Sequence, residues 1–471
     1  MEMRTPLEES VLRRIRPREE VRAQILAIAE RLMAAVDRSE VAQGMIVGSI
    51  ARNTWLEGDR DLDIFMLFEP SLTRDELEER GLALARGIAR DLGARFREKY
   101  AEHPYISLEF EGLDVDLVPC YRVTDPREIK SAVDRTPFHT RYISERIKGF
   151  EDDVLLFKQF AKAGGFYGSD QMTEGFAGYL CELLVLHYRG FSPLLQAASS
   201  WRRRTFIDIE GIAEKSFEDP LVVIDPVDPN RNVAASVSLT RKFEFVELAR
   251  GYLKQPTISF FEPPPPNTMG SQEFEDAIRR RGTRLYGLRL STPPYIPEIV
   301  VPQLRKSLRA VKGLLERSGF LVNRVDSAMG ERYCLLLFEL MVDHLPQVCR
   351  HVGPPVWEAD NAAKFVSKYL EDTLSGPYIE EGLYIVEIPR RFTEARDLLA
   401  SKECLNTGLG KHVKKSMEAG WEVFQDGECW SAEFSQFVSD FIRRSSPLVR
   451  IRRVENGFPP ARDTSSDQSL N

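Results

Sequence analysis

The stretch Gly48–Phe68, GSIARNTWLEGDRDLDIFMLF, limits what this chain can fold into more than any other. An apolar run, Met45–Val47, stops at Gly48-Ser49, and a short amphipathic piece follows over Ala51–Leu56. A polar turn, Glu57–Arg60, then feeds a second apolar run, Leu62–Phe68. The pattern predicts strand, bend, short helix, turn and strand. Two acids, Asp61 and Asp63, stand where the second strand opens. Alternate side chains of an extended chain share a face, so these carboxylates point the same way, about 6–7 Å apart. Like charges that close repel, a shared divalent cation relieves the repulsion, and an all-oxygen donor set suits Mg²⁺. The bend before them suits a phosphate. Glycine lets the backbone approach a ligand, while Ser49 and the amides that follow can donate to anionic oxygens. Arg52, one turn on, adds a positive charge. Taken singly, Gly-Ser is a loop and Asp-x-Asp a solvated strand end. Their succession across two strands is what favours a site.

A third acid joins them. Leu113–Cys120, LDVDLVPC, alternates in polarity, with Asp114 and Asp116 on one face and Val115 and Leu117 on the other. Asp116 lies deeper in the strand and is the expected third metal ligand; Asp114 is expected to be a solvated or outlying acid. Three acids on neighbouring strands match a two-metal site for nucleotidyl transfer. One ion there activates an attacking hydroxyl, and the other holds the triphosphate and the departing pyrophosphate.

Gly-Ser, eleven residues, acid-hydrophobic-acid and a later strand acid resemble the DNA polymerase β nucleotidyltransferase superfamily. With ARNTW inside the first string and DVDLVPC after it, the chain resembles one branch in particular, the archaeal-type (class I) CCA-adding tRNA nucleotidyltransferases. That family usually has Gly where this chain has Asn53, and often Glu in place of Asp61. Asn tolerates positive φ better than most residues, and Asp keeps the charge.

The resemblance implies further site residues. Within SAVDRTPFHTRYI, Thr136 and His139 match residues near the nucleotide's sugar and phosphates. In DDVLLFKQFAKAGGFYGSD, Lys158 matches a contact to the triphosphate, for which a compact ammonium on a long stem is apt, and Tyr167 lies against the incoming nucleotide. In DPVDPNRNVAASVSL, Arg231 matches a residue that helps hold the base. On polarity alone these would be a capping His, a surface Lys, a loop Tyr and a surface Arg. HVGPPVWEADNAAKF from His351 and LGKHVKKSMEAGW from Leu409 also resemble the family; Lys411, His412, Lys414 and Lys415 make a candidate phosphate contact.

Composition sets the frame. At 471 residues the chain is long enough for three or four domains, with 43% hydrophobic and 29% charged residues. No apolar run reaches membrane-spanning length. Six scattered cysteines without Cys-x-x-Cys, and six dispersed histidines, argue against zinc and for reduced thiols in a cytoplasmic protein. A net charge of −8 weighs mildly against a nucleic-acid partner, although binding needs only a local basic patch.

The expected fold is α+β and multidomain: a polymerase β-like head with a mixed sheet backed by helices, a helical central domain, and an α/β C-terminal body and tail. The expected boundaries are 1–148 for the head, 149–262 for the central domain, 263–319 with 395–454 for the body, 320–394 for the tail, and 455–471 disordered. Periodicity predicts helices over 7–38 broken at Pro17, 73–92, 152–166 and 175–188, with strands over 105–110 and 113–123. Ser131–Thr136 reads as a helix-to-loop passage ending at Pro137, and Arg231-Asn232 as a helix start. Four prolines in FFEPPPPNT mark a stiff linker. The resemblance implies tRNA, CTP and ATP as partners and suggests a homodimer; the lack of a long apolar run implies no membrane partner. The rivals are another polymerase β-type transferase, such as a poly(A) polymerase or oligoadenylate synthase, and an RNA-binding protein with a dead transferase domain.

Overall fold

The computed structural model of the protein describes residues 4–100, 102–262, 265, 268–371 and 373–456. It divides into two compact units, one running to Pro264 and resuming at Ser446, the other spanning Pro265–Ser445. The expected disorder of the last residues and most of the proline linker lie outside the described residues.

The first unit opens with α1 (Pro6–Ile15) and α2 (Glu19–Asp37), separated at Pro17 as the sequence predicts. Thr5 caps α1 in a reciprocal box with Glu8. Then come β1 (Ala42–Val47), the single-turn α3 (Gly48–Ala51), β2 (Asp61–Phe68) and α4 (Arg74–Asp91). Three more strands complete the sheet: β3 (Arg95–Tyr100), β4 (Pro104–Phe110) and β5 (Leu113–Tyr121). The order is β1-β2-β5-β4-β3, antiparallel except where β2 runs parallel to β5. One face packs on α2 and α4 through Ile25, Ile28, Leu32, Leu62, Ile64, Met66, Leu77, Ile88 and Val115. Strand β3 was not foreseen: RFREKY is a largely exposed edge strand with no apolar face to reveal it.

A second, larger core is helical. It gathers α5 (Arg135–Arg146), α6 (Glu151–Gly164), α7 (Gly178–Tyr188), α8 (Phe191–Ala198) and, after the short strands β6 (Thr205–Ile207), β7 (Leu221–Asp225) and β8 (Asp228–Asn232), α9 (Leu239–Lys254). Gly165, at φ +76, ends α6 two residues before the predicted helix end at 166. Three expectations are corrected here. Ser131–Thr136 is no passage into a loop, because Thr136 and Pro137 fall in the first turn of α5, where proline costs no hydrogen bond. Arg231 and Asn232 end a strand, held to β7 by pairing of Asn232 with Ile224. Helix α1 belongs to this helical core and not to the head, since Val11 and Leu12 are buried in it and Arg4 pairs with Asp152 and Asp153.

The second unit runs α10 (Ser271–Arg281), β9 (Arg284–Ser291), α11 (Pro297–Arg317), β10 (Leu321–Met329) and β11 (Tyr333–Val342). A small sheet, β12 (Val348–Pro355), β13 (Ser375–Glu380) and β14 (Leu383–Pro389), packs with α12 (Ala359–Lys368). Later come helices at Ala395–Leu399, Lys402–Leu405, Lys411–Glu418 and Ser435–Ile442, with β15 (Trp421–Gln425) among them. The main sheet is β10-β11-β9-β15. This corrects the tail boundary at 320, because β11 pairs along its length with β9. The body boundary at 454 moves as well: helix Pro447–Glu455 belongs to the first unit, with Leu448 against Gly251. No helix among the described residues is long and apolar enough to cross a membrane.

Candidate active site

The acids are brought together by register. Parallel pairing of β2 with β5 sets Asp61 opposite Asp114 and Asp63 opposite Asp116. Antiparallel pairing with β1 sets Val47 opposite Asp63, so the chain leaves β1 at Gly48 directly beside that carboxylate. Gly48 has φ +75, and a Cβ there would overlap Asp63 Oδ2. Backbone conformation and the neighbouring carboxylate both favour glycine here.

Charge is crowded here. Burial, then Asp116 and Asp61, pushes Asp63 up to about 6. Burial, Asp59 and Asp114 also raise Asp61. Two cations oppose the crowding: Arg52 and Lys99 both act to lower Asp63, and Lys99 Nζ, from β3, lies 3.5 Å from Asp116 Oδ1. The Tyr105 hydroxyl, from the neighbouring β4, also bonds Asp116; burial and that acid push the phenol up to about 12. Among the described residues no three acidic, His or Cys side chains stand together so that they could hold a metal ion as they are placed. An open set of hard oxygen donors with excess negative charge nonetheless fits Mg²⁺, which takes one or two carboxylates and completes its shell with water and phosphate.

The cationic candidates lie deeper than expected. Arg52 caps α3, is buried, and sets Nε 3.0 Å from Glu182 Oε2, with Nη1 3.3 Å from Thr140 Oγ1. Lys158, in α6, is buried too; its Nζ donates to the Thr54 carbonyl at 2.7 Å and lies 3.5 Å from Glu182 Oε1. Asn53, between Arg52 and Thr54, has φ +56, a left-handed conformation that asparagine tolerates better than most residues. Tyr167 bridges to Phe176 through its backbone and sits under Lys162 Nζ, itself 2.8 Å from Asp59. Ser49 is half-buried in α3.

His139 and Arg231 share a third centre. Both contact Asp225 at the end of β7, and Tyr179 of α7 stacks on the His139 ring at 4.1 Å. Thr136, one turn before His139, is half-buried. Sequence reading missed Lys99, Tyr105, Glu182, Tyr179 and Asp225. Glu182 carried a signal, since a lone acid inside the apolar GYLCELLVLHY must have a buried partner.

Residues 30–139 match the nucleotidyltransferase domain family, 152–262 the second domain of tRNA nucleotidyltransferase, and 281–426 the C-terminal domain of the CCA-adding enzyme. A CCA-adding enzyme of Methanoregula boonei is 56% identical, over 97% of this chain and 100% of its own length. The chain belongs to the CCA-adding enzyme family. Members from Methanosarcina acetivorans and Archaeoglobus fulgidus are 41% and 36% identical, covering 90% and 88% of this chain and 94% and 93% of their own. Among solved structures, E. coli MS115-1 CdnC with ATP aligns with 55% of this chain and 92% of its own at a TM-score of 0.44 and 20% identity. The three family matches fall in the order head, helical core, second unit; the ten candidate metal and nucleotide residues lie in the first two, and Lys411, His412, Lys414 and Lys415 in the third.

Proposed function

We propose that this chain adds and repairs the 3′-terminal CCA of tRNA without a nucleic-acid template, using CTP and ATP and releasing pyrophosphate. The observation that carries the reading is the β2–β5 register, with Asp63 beside Asp116 at the Gly48 bend. Asp61, Asp63 and Asp116 would hold Mg²⁺, which when bound supplies charge stabilisation for the reacting phosphate. Asp116 takes the proton of the tRNA's terminal ribose hydroxyl. The hydroxyl oxygen bonds to the α-phosphorus of the incoming nucleotide as the bond to the β-phosphate oxygen breaks and pyrophosphate leaves.

Ser49, Arg52, His139 and Lys158 orient the triphosphate, and Thr136 stands beside them. Tyr167 and Arg231 frame sugar and base. Arg231 offers five donors and spends one on Asp225, which leaves a planar fork for base acceptors. The second unit holds the acceptor arm by shape and backbone contacts, as A-form RNA requires, and Lys411, Lys414 and Lys415 suit its phosphates. A cytoplasmic homodimer belongs to the same reading. The test is a tRNA transcript lacking its tail, given CTP, ATP or both, with the product ends sequenced. Two cytidines followed by one adenosine is the expected product; a run of one nucleotide from ATP alone would point to a poly(A)-type transferase. Light scattering of the free protein checks the dimer.

A further inference from the structure

Glu182 is an acid for which the reaction above has no task. It stands in α7 with no solvent exposure, among Leu180, Cys181, Leu183 and Leu184. A lone buried carboxylate is costly unless cations and donors surround it. Arg52 and Lys158 do so, and the Thr54 hydroxyl donates to Oε1. These partners come from separate elements: Arg52 and Thr54 follow α3, while Lys158 stands in α6. The cluster holds two cations to one anion, so it keeps a positive charge next to the acids of β2.

We infer that Glu182 is a positioning residue for nucleotide binding, fixing Arg52 and Lys158 side by side so that the pair meets the triphosphate already aimed. The inference rests on the reading that these two cations bind the triphosphate. A long ammonium stem has many rotamers, and Lys158 is confined by the Thr54 carbonyl and Glu182 together. The charge environment points the same way. Burial pulls the Lys158 ammonium down, Glu182 opposes that, and Arg52 adds to it. Its other close titratable neighbours are uncharged: burial pushes the Cys181 thiol up to about 12, and it raises the phenol of Tyr167, whose hydroxyl shares the approach to Gly178 with Lys158 Nζ. Glu182 is therefore the anion that keeps Lys158 protonated as pH rises.

The experiment measures KM for CTP and kcat on a tRNA transcript lacking its tail, at about pH 6.5 and about pH 9. It compares wild type, Glu182→Gln, Thr54→Val and Lys158→Met. Lys158→Met should raise KM at both pH values. In Glu182→Gln the KM should climb about tenfold more than in wild type between the two, with kcat moving less. Thr54→Val, which loses one hydroxyl, should shift in the same direction by less. A purely structural Glu182 would instead lower melting temperature and kcat alike at both pH values. A wild-type pH profile of KM in Glu182→Gln, with KM raised in Lys158→Met, overturns the positioning role. If Glu182→Gln does not fold, a wild-type profile in Thr54→Val overturns it. An unchanged KM in Lys158→Met removes the triphosphate reading and the inference with it.

Discussion

Arg231 and His139 meet on one oxygen: Arg231 Nη1 lies 2.7 Å and His139 Nε2 2.8 Å from Asp225 Oδ2. The other oxygen, Oδ1, accepts from the Val227 amide at 3.2 Å and the Tyr179 hydroxyl at 3.3 Å. Burial works against the charge on Asp225, but the His139 bond and the charges of His139 and Arg231 outweigh it and hold the carboxyl below the usual range. One buried acid therefore sets the orientation of two side chains assigned to the nucleotide.

That geometry makes Asp225→Asn informative, because it keeps the shape and removes the charge. Hydrogen bonds to a charged group are worth about 1.5–3 kcal/mol each, so kcat/KM for CTP should fall about 10- to 100-fold. Combining it with Arg231→Gln should cost little beyond the worse single change, since both act through Oδ2. Steady-state kinetics on the two single variants and the double decide it. Fully additive losses would show that Arg231 is positioned by something else.

Asp63 predicts a trade between stability and activity. Its folded pKa, about 6, lies above the ordinary value, so the fold gains nothing from ionising it. The stability that depends on this one group is complete at low pH and is lost as pH rises from about 4 through about 6. Above that, in chelator, Asp63→Asn should stabilise the protein by about 1–3 kcal/mol while abolishing nucleotide addition. Added Mg²⁺ should stabilise the wild type and leave the variant nearly unmoved. Urea melts at pH 5 and pH 8 give the check; a variant less stable than wild type at pH 8 would contradict the crowding of charge seen here.

How much of this was legible from the sequence depended on whether a signal is local. The Gly48–Phe68 string and LDVDLVPC announced β1, β2 and β5, because alternation and bend chemistry are short-range. Their mutual register is a long-range fact, and it came only with the structure. Edge strand β3 was silent, since RFREKY buries almost nothing. Pro137 was misread because proline ends a helix when it falls inside one and opens a helix when it falls in the first turn. Lys158 carried a motif but not its depth: its burial follows from Glu182 and Thr54, each remote in sequence. The tail boundary failed for a similar reason, as nothing local to β11 says that β9 is its partner.

Glu339 predicts acid sensitivity in the second unit. It stands on β11 with its side chain buried and accepts from Arg281, Thr283, Asn323 and Arg324. Burial opposes its charge, yet these donors, led by Arg281, bring its pKa down to about 2. A depressed carboxyl contributes stability that is complete above its unfolded value, near 4.5, and is lost as pH falls toward about 2. Glu339→Gln should cost about 2–3 kcal/mol at neutral pH, because two arginines lose their anion. The deficit should shrink as both proteins are melted at lower pH. A constant deficit would assign the loss to shape and not to charge.

Gly48 tests the bend itself. At φ +75 a side-chain residue is strained, and a methyl group there would press on Asp63 Oδ2. The two effects separate by substitution. Gly48→Ala should lose about 1–3 kcal/mol from backbone strain and displace the carboxylate, cutting kcat by about 100-fold or more. Gly48→Ala combined with Asp63→Ala should remove the atom that the methyl group presses on and recover part of the stability, while activity stays lost. Calorimetry on the single and double variants, beside end-labelled tRNA extension, reads both quantities. If Gly48→Ala melts like wild type and extends tRNA normally, β1 does not deliver its bend against Asp63, and the acids must be reached from another direction.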